Sequence, residues 1–460
     1  MLSTTTAAEG AAPASVPVGV AKVDITPDYP VRLTGYAGRK GESQGVAQRI
    51  WAKALAIGGD AGQGAAVLVT VDNCGVPAAV KAEVLRRLAP KTGLTAERLM
   101  LCSTHTHTGP WLKGYLPWLS ADELPPEHVR HIEQYTEQLT GWIEQVVLDA
   151  MAARKPSRLA SAQGTVRFAA NRRVLKDGKW TGFGVAPEGP VDHSLPLLRI
   201  TDAKGKLAGV LVNYACHCTT LGSEDNQIHG DWAGCAQQMI EADQGGAIAL
   251  VSIGCGADAN PEPRIKMEYT ELHGREVADE VKRLLAGEMK TVEPALTARL
   301  VETELPFDRL PSREELERRA EAGRAAGASF YAVTSGRLAA SLLGRLDEGK
   351  PLPTALKYPI AVWAFGDDLA MVFLAGEVVV DYSLALKRQF DASRLWITAY
   401  ANDVPCYIAS RRILAEGGYE ADSSMIFYGQ PTRLSPDAEP RLLDAVRSLV
   451  PEGFRAAEHK

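Results

Sequence analysis

Six segments of the chain share one pattern, a run of apolar and β-branched residues that ends in polar, potentially reactive side chains. Near-continuous apolar runs of this length are typical of strands covered on both faces, as in α/β sheets. The pattern therefore predicts several buried strands whose ends carry the chemistry. The six segments are residues 65–75, 98–110, 206–220, 247–261, 369–379 and 395–407.

Helical patterns lie between these strands. In residues 123–154, apolar residues at spacings of three and four follow two prolines near the start. Residues 312–346 open with Ser312 and Glu315, the spacing of a capping box, and continue with an Arg/Ala/Glu-rich body. We expect an α/β fold with a large central sheet, mostly parallel or mixed, flanked by helices. Helices are predicted at 123–154, 231–242, 269–286 and 312–346.

The same patterns predict how the chain is divided. Residues 1–16 are small, polar and weakly patterned, so we expect a disordered leader. No low-complexity linker divides the rest, although 460 residues is large for one core. We expect a single catalytic domain over residues 17–460, with a helical insertion near 312–346.

Composition excludes several classes of protein. A net charge of −6 argues against a nucleic-acid binder, which usually carries a basic face. No apolar run approaches the roughly 20 residues that span a bilayer, so we expect a soluble protein, cytoplasmic or exported. Seven cysteines are too few and too scattered for a disulfide framework. The expected partner is a small-molecule substrate, and a homo-oligomer is compatible with the sequence.

Candidate metal ligands stand at the ends of the predicted strands. His105 and His107 close one strand, and histidines at i and i+2 point to the same side of an extended chain. His217 and Glu377 close two others, and Tyr407 follows a fourth. In α/β sheets ligands bind outside the carboxyl ends of strands. Imidazole and carboxylate suit Zn²⁺, so these residues form a candidate zinc site.

Other interpretations of these residues stay open. His217, between Cys216 and Cys218, is compatible with a packed strand-end residue or with a cysteine hydrolase. Adjacent strand residues point to opposite faces, which disfavours a hydrogen bond between either thiol and His217. Glu377 is compatible with a solvated or helix-capping carboxylate.

Several motifs together resemble the neutral/alkaline ceramidase family, and they occur in that family's order. Residues 18–39 are similar to its opening segment, and ANRR at 170–173 to its Asn-Arg element. The remaining motifs are THTHTGP at 104–110, NYACHCT at 213–219, AGE at 375–377 and ANDVPCYIAS at 401–410.

This resemblance implies a zinc-dependent amidohydrolase. Zinc lowers the pKa of its bound water toward about 7, so that hydroxide can attack an amide carbonyl at neutral pH. The zinc ligands that the resemblance implies are His105, His217, Glu377 and Tyr407. The residues implied to bind the carbonyl and stabilise the transition state are His107, Arg172 and, by its spacing of twelve from the ligand tyrosine, Tyr419.

Two departures from the family pattern concern the residues around the metal. Ala259 stands where the family has its active-site serine, and Asp258, Asn260 and Arg264 around it are predicted to bind substrate instead.

In IHGDWAGC, at residues 228–235, a histidine replaces a family serine. His229 and Asp231 are therefore predicted as titratable catalytic groups, although Asp231 is equally suited to cap the following helix.

The resemblance thus describes a divergent member, for which we expect neither the family's serine nor its C-terminal domain. A smaller or more polar substrate than ceramide is expected. Hydrolysis of an ester, lactone or glycosidic bond on the same zinc site is an alternative to amide hydrolysis. A non-catalytic metal-containing binding protein is the alternative outside enzymes.

Overall fold

A computed structural model of the protein describes residues 15–59 and 64–456. Most of the leader expected at residues 1–16 lies outside the described residues, and the first strand already begins at Val16. The strands, in chain order, are β1 (Val16–Asp24), β2 (Trp51–Ile57), β3 (Ala66–Val71), β4 (Leu99–Ser103), β5 (Lys155–Thr165), β6 (Ala169–Asn171), β7 (Arg173–Lys176), β8 (Lys179–Phe183), β9 (Ser194–Asp202), β10 (Leu207–Tyr214), β11 (Ile248–Ile253), β12 (Ala259–Pro261), β13 (Lys290–Val292), β14 (Leu296–Pro306), β15 (Ala355–Phe365), β16 (Leu369–Leu374), β17 (Glu377–Val378), β18 (Leu395–Thr398) and β19 (Tyr407–Ile408).

The helices lie between these strands, and within the described ranges none is long and apolar enough to cross a bilayer. The α-helices are α1 (Ala78–Thr92), α2 (Pro126–Ala152), α3 (Asp231–Asp243), α4 (Met267–Ala286), α5 (Arg313–Arg324), α6 (Phe330–Asp347), α7 (Val380–Gln389), α8 (Arg411–Glu416) and α9 (Ala438–Leu449). Short 3₁₀ helices span Ala96–Arg98, Ser423–Ile426 and Glu452–Phe454.

The largest sheet has nine strands, in the order β11-β10-β9-β5-β1-β2-β3-β4 with β13 paired to β5. The pairs β3–β4 and β10–β11 are parallel, and the other pairs are antiparallel. The expected α/β class, with a large mixed sheet flanked by helices, is confirmed.

A second sheet, in the order β14-β15-β16-β18, packs against one face of the first. Trp363, Met371 and Phe373 on its inner face share an apolar cluster with Leu68 and Met100 of the main sheet. Helices α2, α3 and α4 contact the main sheet, and α9 contacts β14 and β15. The apolar runs predicted strands covered on both faces, and a second sheet supplies part of that cover.

The helical pattern at 312–346 forms two helices, α5 and α6, rather than one. The Ser312 hydroxyl accepts a hydrogen bond from the Glu315 N–H, and the Glu315 carboxylate accepts one from the Ser312 N–H, so the capping box is present. That these helices are an insertion, and that residues 17–460 form a single domain, stay predictions.

Parallel strand pairs bring several strand ends to one place. At the end of β4, the Ser103 N–H donates to the Tyr400 carbonyl at 3.2 Å. The Tyr400 N–H donates to the Gly376 carbonyl at 3.1 Å, and the Ala399 N–H donates to the Ile253 carbonyl at 2.8 Å. The polar segments that follow β4, β11, β16 and β18 therefore meet at one edge of the two sheets.

Candidate metal centre

Three buried side chains meet at this edge of the sheets. His105 follows β4, His217 follows β10, and Glu377 opens β17. The Nε2 atoms of His105 and His217 each lie 3.2 Å from Glu377 Oε2. The exposed fractions are 1% for His105, 0% for His217 and 3% for Glu377. Their possible ligand atoms lie within 4.8 Å of one another, so the three side chains could hold one metal ion.

Backbone acceptors orient both histidines. His105 Nδ1 lies 2.6 Å from the Cys74 carbonyl, and His217 Nδ1 lies 2.9 Å from the Gly256 carbonyl. A ring nitrogen that faces a carbonyl carries the hydrogen, so in the neutral rings both Nε2 lone pairs point at Glu377. Glu377 Oε2 has no hydrogen-bond donor among the described residues. With both rings neutral, three acceptor atoms face one another, an arrangement that fits a bound cation.

Charge around Glu377 favours the same arrangement. Burial favours the protonated acid, but His105 and His217 hold the pKa of Glu377 well below its ordinary value. Burial works against a charged imidazole at His105, yet the Glu377 carboxylate raises the pKa of His105 to about 10. Burial and the Arg172 guanidinium lower the pKa of His217 to about 3, so His217 stays neutral and its Nε2 carries no proton. The position between these side chains therefore attracts positive charge.

Local backbone conformation places two of the candidate ligands. His105 has a φ of 59°, in the left-handed region that non-glycine residues seldom adopt, and its ring stacks on Tyr400 with centroids 4.3 Å apart. Gly376, just before Glu377, has a φ of 80°, and a Cβ there would lie 2.6 Å from the Cys406 carbonyl. A glycine is therefore required for β17 to pair closely with β19.

Tyr407 reaches the same centre from β19, where it pairs with Glu377 in register. Its hydroxyl lies 3.4 Å from His217 Nε2 and accepts a hydrogen bond from Arg172 Nη2 at 3.1 Å. The four side chains predicted as metal ligands are thus close to one another, and their role as ligands stays a prediction.

His107 and Tyr419 flank these candidate ligands. His107 Nε2 lies 3.2 Å from His105 Nε2, while His107 Nδ1 has no hydrogen-bond partner among the described residues. Burial, together with the neighbouring His105 and His217, lowers the pKa of His107 well below its ordinary value, so the ring is neutral. The Tyr419 ring packs against Tyr407 with centroids 5.5 Å apart.

Arg172 is buried and anchored from one side. Its Nε donates to Glu420 Oε1 at 2.9 Å, and its Nη1 lies 3.4 Å from Asn260 Oδ1 and 3.2 Å from His217 Nε2. Glu420, which is 0% exposed, also pairs with Arg173. This ion pair fixes the Arg172 guanidinium beside the candidate metal position.

Asn260 and Arg264, two of the residues predicted to bind substrate, lie beside the centre. Asn260 Oδ1 accepts hydrogen bonds from Thr219 and Arg172, and Arg264 donates to the Thr219 carbonyl at 2.9 Å. Asp258 is directed elsewhere.

The Asp258 carboxylate accepts hydrogen bonds from the Val380 N–H at the start of α7 and from Asn171 Nδ2 at the end of β6. The structure therefore does not bring the Asp258 side chain to the other predicted substrate-binding residues.

His229 and Asp231 make local contacts. His229 Nδ1 accepts a hydrogen bond from the Asp231 N–H at 2.8 Å. The Asp231 carboxylate accepts from the N–H groups of Thr220, Leu221 and Trp232. Neither side chain contacts the three candidate ligands among the described residues, and a catalytic role for either stays a prediction.

The thiols of Cys216 and Cys218 are fully buried, and burial raises both pKa values well above the ordinary value. A thiol nucleophile needs its thiolate form, so this environment disfavours a cysteine hydrolase.

Some residues of the centre were missed in the sequence. The Tyr428 hydroxyl donates to Glu377 Oε1, and Glu420 holds Arg172. Tyr428 follows an apolar run of only three residues, 425–427, and Glu420 follows none, so the strand-end pattern did not indicate either of them. The carbonyls of Cys74 and Gly256 act through the backbone, which residue identity does not reveal. Cys74 also forms, with His105 and His107, a second set of possible metal ligands.

Comparison with known proteins places the chain in a family. The model for "Neutral/alkaline non-lysosomal ceramidase, N-terminal" matches residues 17–253, just over half of the chain. Neutral ceramidase from Pseudomonas aeruginosa is 29% identical over 228 residues, which are 49% of this chain and 33% of that protein. Neutral ceramidase 2 from Arabidopsis thaliana is 26% identical over 231 residues, 49% of this chain and 30% of that protein. The matches therefore span about a third of these relatives' length.

Solved structures share the fold over nearly the whole chain. The crystal structure of neutral ceramidase from Pseudomonas aeruginosa aligns with a TM-score of 0.70 at 21% identity, over 96% of this chain and 76% of that chain. A ceramidase complexed with C2 aligns with a TM-score of 0.69 at 20% identity, over 96% and 77%. The resemblance carried by the motifs is confirmed: the chain belongs to the neutral/alkaline non-lysosomal ceramidase family.

Proposed function

We propose that this protein is a zinc-dependent hydrolase that cleaves the amide (N-acyl) bond of a small or amphiphilic substrate. One observation carries the proposal: the Nε2 atoms of His105 and His217 both lie 3.2 Å from the same buried oxygen of Glu377. Nitrogen and carboxylate ligands suit zinc, and three protein ligands leave a position for water. Tyr407 would hold the ion from a fourth side.

When bound, zinc would act as a Lewis acid and make water nucleophilic at neutral pH. The side chains of the protein would accept the proton, stabilise the oxyanion and orient the carbonyl. Glu377, or another carboxylate nearby, would accept the proton that the attacking water loses. Arg172, held by Glu420, would donate Nη1 and Nη2 hydrogens to the oxyanion that forms from the carbonyl. His107 and Tyr419 would donate to the same oxygen or orient the carbonyl.

We propose an amide bond because the relatives compared above are named ceramidases, and ceramide is an amide. A substrate with an ester, lactone or glycosidic bond would contact the same side chains, so hydrolysis of one of these bonds is the alternative. Ala259 lies buried beside Asn260 and offers no hydroxyl, so a substrate other than ceramide is proposed.

Metal analysis tests this proposal. The wild-type protein is expected to retain about one zinc per chain, and His105→Ala and His217→Ala are each expected to lose most of it and all turnover. His193→Ala is the matched control, because His193 is half-buried and away from the three ligands. Zinc retention in the two ligand variants would contradict the metal site.

A substrate panel tests the reaction itself. Zinc-loaded protein is offered matched amide, ester and lactone substrates, and cleavage of the amide is expected to be fastest. If the protein binds one zinc per chain but cleaves none of these substrates, the result would instead support a non-catalytic metal-containing binding protein. Activity that survives a chelator but is lost to a thiol alkylator would support a cysteine hydrolase.

A further inference from the structure

We propose that the substrate carries a carboxylate next to the bond that is cleaved, and that Arg264 binds this carboxylate. The inference rests on the proposed function and names the class of substrate, an N-acyl amino acid or a related acyl amide with an anionic head. It starts from an anchored guanidinium at the candidate metal centre that has no carboxylate partner among the described residues.

Two neutral acceptors hold Arg264 in place. Its Nε donates to the Thr219 carbonyl at 2.9 Å, and its Nη2 donates to the Tyr36 hydroxyl at 3.2 Å. The Tyr36 ring packs edge-on against His107, with centroids 4.9 Å apart. Thr219 lies two residues after His217, so both anchors belong to segments that form the centre. The guanidinium is therefore positioned, rather than free in solvent.

The charge of Arg264 is left unbalanced, unlike that of its neighbours. Arg172 and Arg173 pair with Glu420, and Arg412 pairs with Asp381. For Arg264, no carboxylate oxygen lies within 4.0 Å in the part of the chain that the structure describes. A half-buried guanidinium with only neutral acceptors is costly unless an anion joins it. Its Nη1 group makes no hydrogen bond within the described ranges and can serve that anion.

A second donor points to the same ligand chemistry. Asn260 uses its Oδ1 to accept hydrogen bonds from Thr219 and Arg172, so its amide Nδ2 is left to donate, and it has no acceptor among the described residues. The acceptors on this side of the centre, the Thr219 carbonyl, the Tyr36 hydroxyl and Asn260 Oδ1, already accept hydrogen bonds, whereas Arg264 Nη1 and Asn260 Nδ2 are donors without a partner among the described residues. A group that only accepts hydrogen bonds, such as a carboxylate, matches them. One guanidinium balances the single charge of a carboxylate, whereas a phosphate monoester carries nearly two.

Binding of a matched pair of ketones tests the inference without requiring turnover. The probes are 4-oxotetradecanoic acid, which mimics an N-acylglycine with a CH₂ in place of the amide N–H, and its primary amide. Calorimetric titration of the zinc-loaded protein is expected to show the acid binding roughly 10- to 100-fold more tightly, as for hydrogen bonds to charged groups. In Arg264→Gln this ratio should fall to about one, and Arg264→Lys should keep part of it.

Control variants separate the outcomes. Arg283→Gln removes one exposed positive charge on α4 and should leave the ratio unchanged. Zinc content is measured in every variant to show that the centre is intact. Three outcomes would overturn the inference. The two probes could bind equally, or neither could bind at millimolar concentration. The preference for the acid could also persist in Arg264→Gln, which would show that the acid binds the metal instead.

Turnover distinguishes failure of this inference from failure of the proposed function. N-dodecanoylglycine and N-dodecanoylglycinamide are offered to the same zinc-loaded variants. Cleavage of both at equal rates, unaffected by Arg264→Gln, would leave the hydrolase and remove the anion site. Binding of the ketone acid that depends on Arg264, with no cleavage of either amide, would support the anion site and reject the hydrolase.

Discussion

Two buried tyrosines adjoin the candidate metal ligands, and their hydroxyls differ. Tyr407 has its hydroxyl 3.4 Å from His217 Nε2, whereas the Tyr400 hydroxyl has no hydrogen-bond partner among the described residues. We expect Tyr407→Phe to weaken zinc affinity by about 10- to 100-fold, because it removes a group from the centre. Tyr400→Phe keeps the ring that stacks on His105 and should change affinity less than about threefold. Competition with a zinc chelator measures both, and equal affinities would contradict a role for Tyr407.

Asp258 gives a residue-scale prediction about pH. Burial raises the pKa of this carboxyl to about 6. Because the folded-state pKa lies above the ordinary 3.8, folding favours the protonated form. Its contribution to the free energy of unfolding is therefore present below about pH 4 and lost as the pH rises through about 6. Urea unfolding should show the wild-type protein losing stability relative to Asp258→Asn over that range.

The control for this prediction is Asp177→Asn, at an exposed turn position with a φ of 51° that asparagine tolerates. Its stability difference from the wild-type protein should stay flat with pH. A flat difference for Asp258→Asn as well would mean that Asp258 stays ionised in the folded protein.

At the scale of elements, two glycines bring helices α5 and α6 together. A Cβ at Gly336 would lie 2.7 Å from Gly323 Cα and 3.0 Å from the Arg319 carbonyl. We expect Gly336→Ala to lower the melting temperature, since overpacking costs about 1–3 kcal/mol. Gly344, in the same helix, has open space around it. Gly344→Ala should therefore raise stability, by up to about 1 kcal/mol, and thermal denaturation compares the two. A stabilising Gly336→Ala would contradict the close crossing.

At the scale of the whole molecule, the candidate metal centre joins the two sheets. His105 and His217 follow strands of the main sheet, whereas Glu377 follows β16 of the second sheet. A metal bound by all three would stabilise the folded protein by about 2.7 kcal/mol at a free concentration of 100 times Kd. Zinc should therefore raise the melting temperature of the wild-type protein and leave that of His105→Ala unchanged. An equal rise in both would show that zinc binds elsewhere.

Patterns within short segments predicted much of the fold. The apolar runs indicated the strands β3, β4, β10, β11, β16 and β18, because a strand buried on both faces needs apolar residues at consecutive positions. The capping box marked the start of α5, because its two hydrogen bonds join residues only three apart in the chain. The second sheet and the break between α5 and α6 were not predicted. Pairing between distant strands, and the return of a helix on itself, depend on contacts that no single segment contains.

The sequence by itself determined which residues could carry the chemistry: histidines and a glutamate at strand ends, in motifs that resemble one family. Only the tertiary structure decided which atoms face one another. Two backbone carbonyls turn His105 and His217 toward Glu377, and Glu420 fixes Arg172. Arg264 is left without a carboxylate partner among the described residues because Thr219 and Tyr36 hold it there. Such arrangements depend on distances between remote segments, and those distances exist only once the two sheets have packed together.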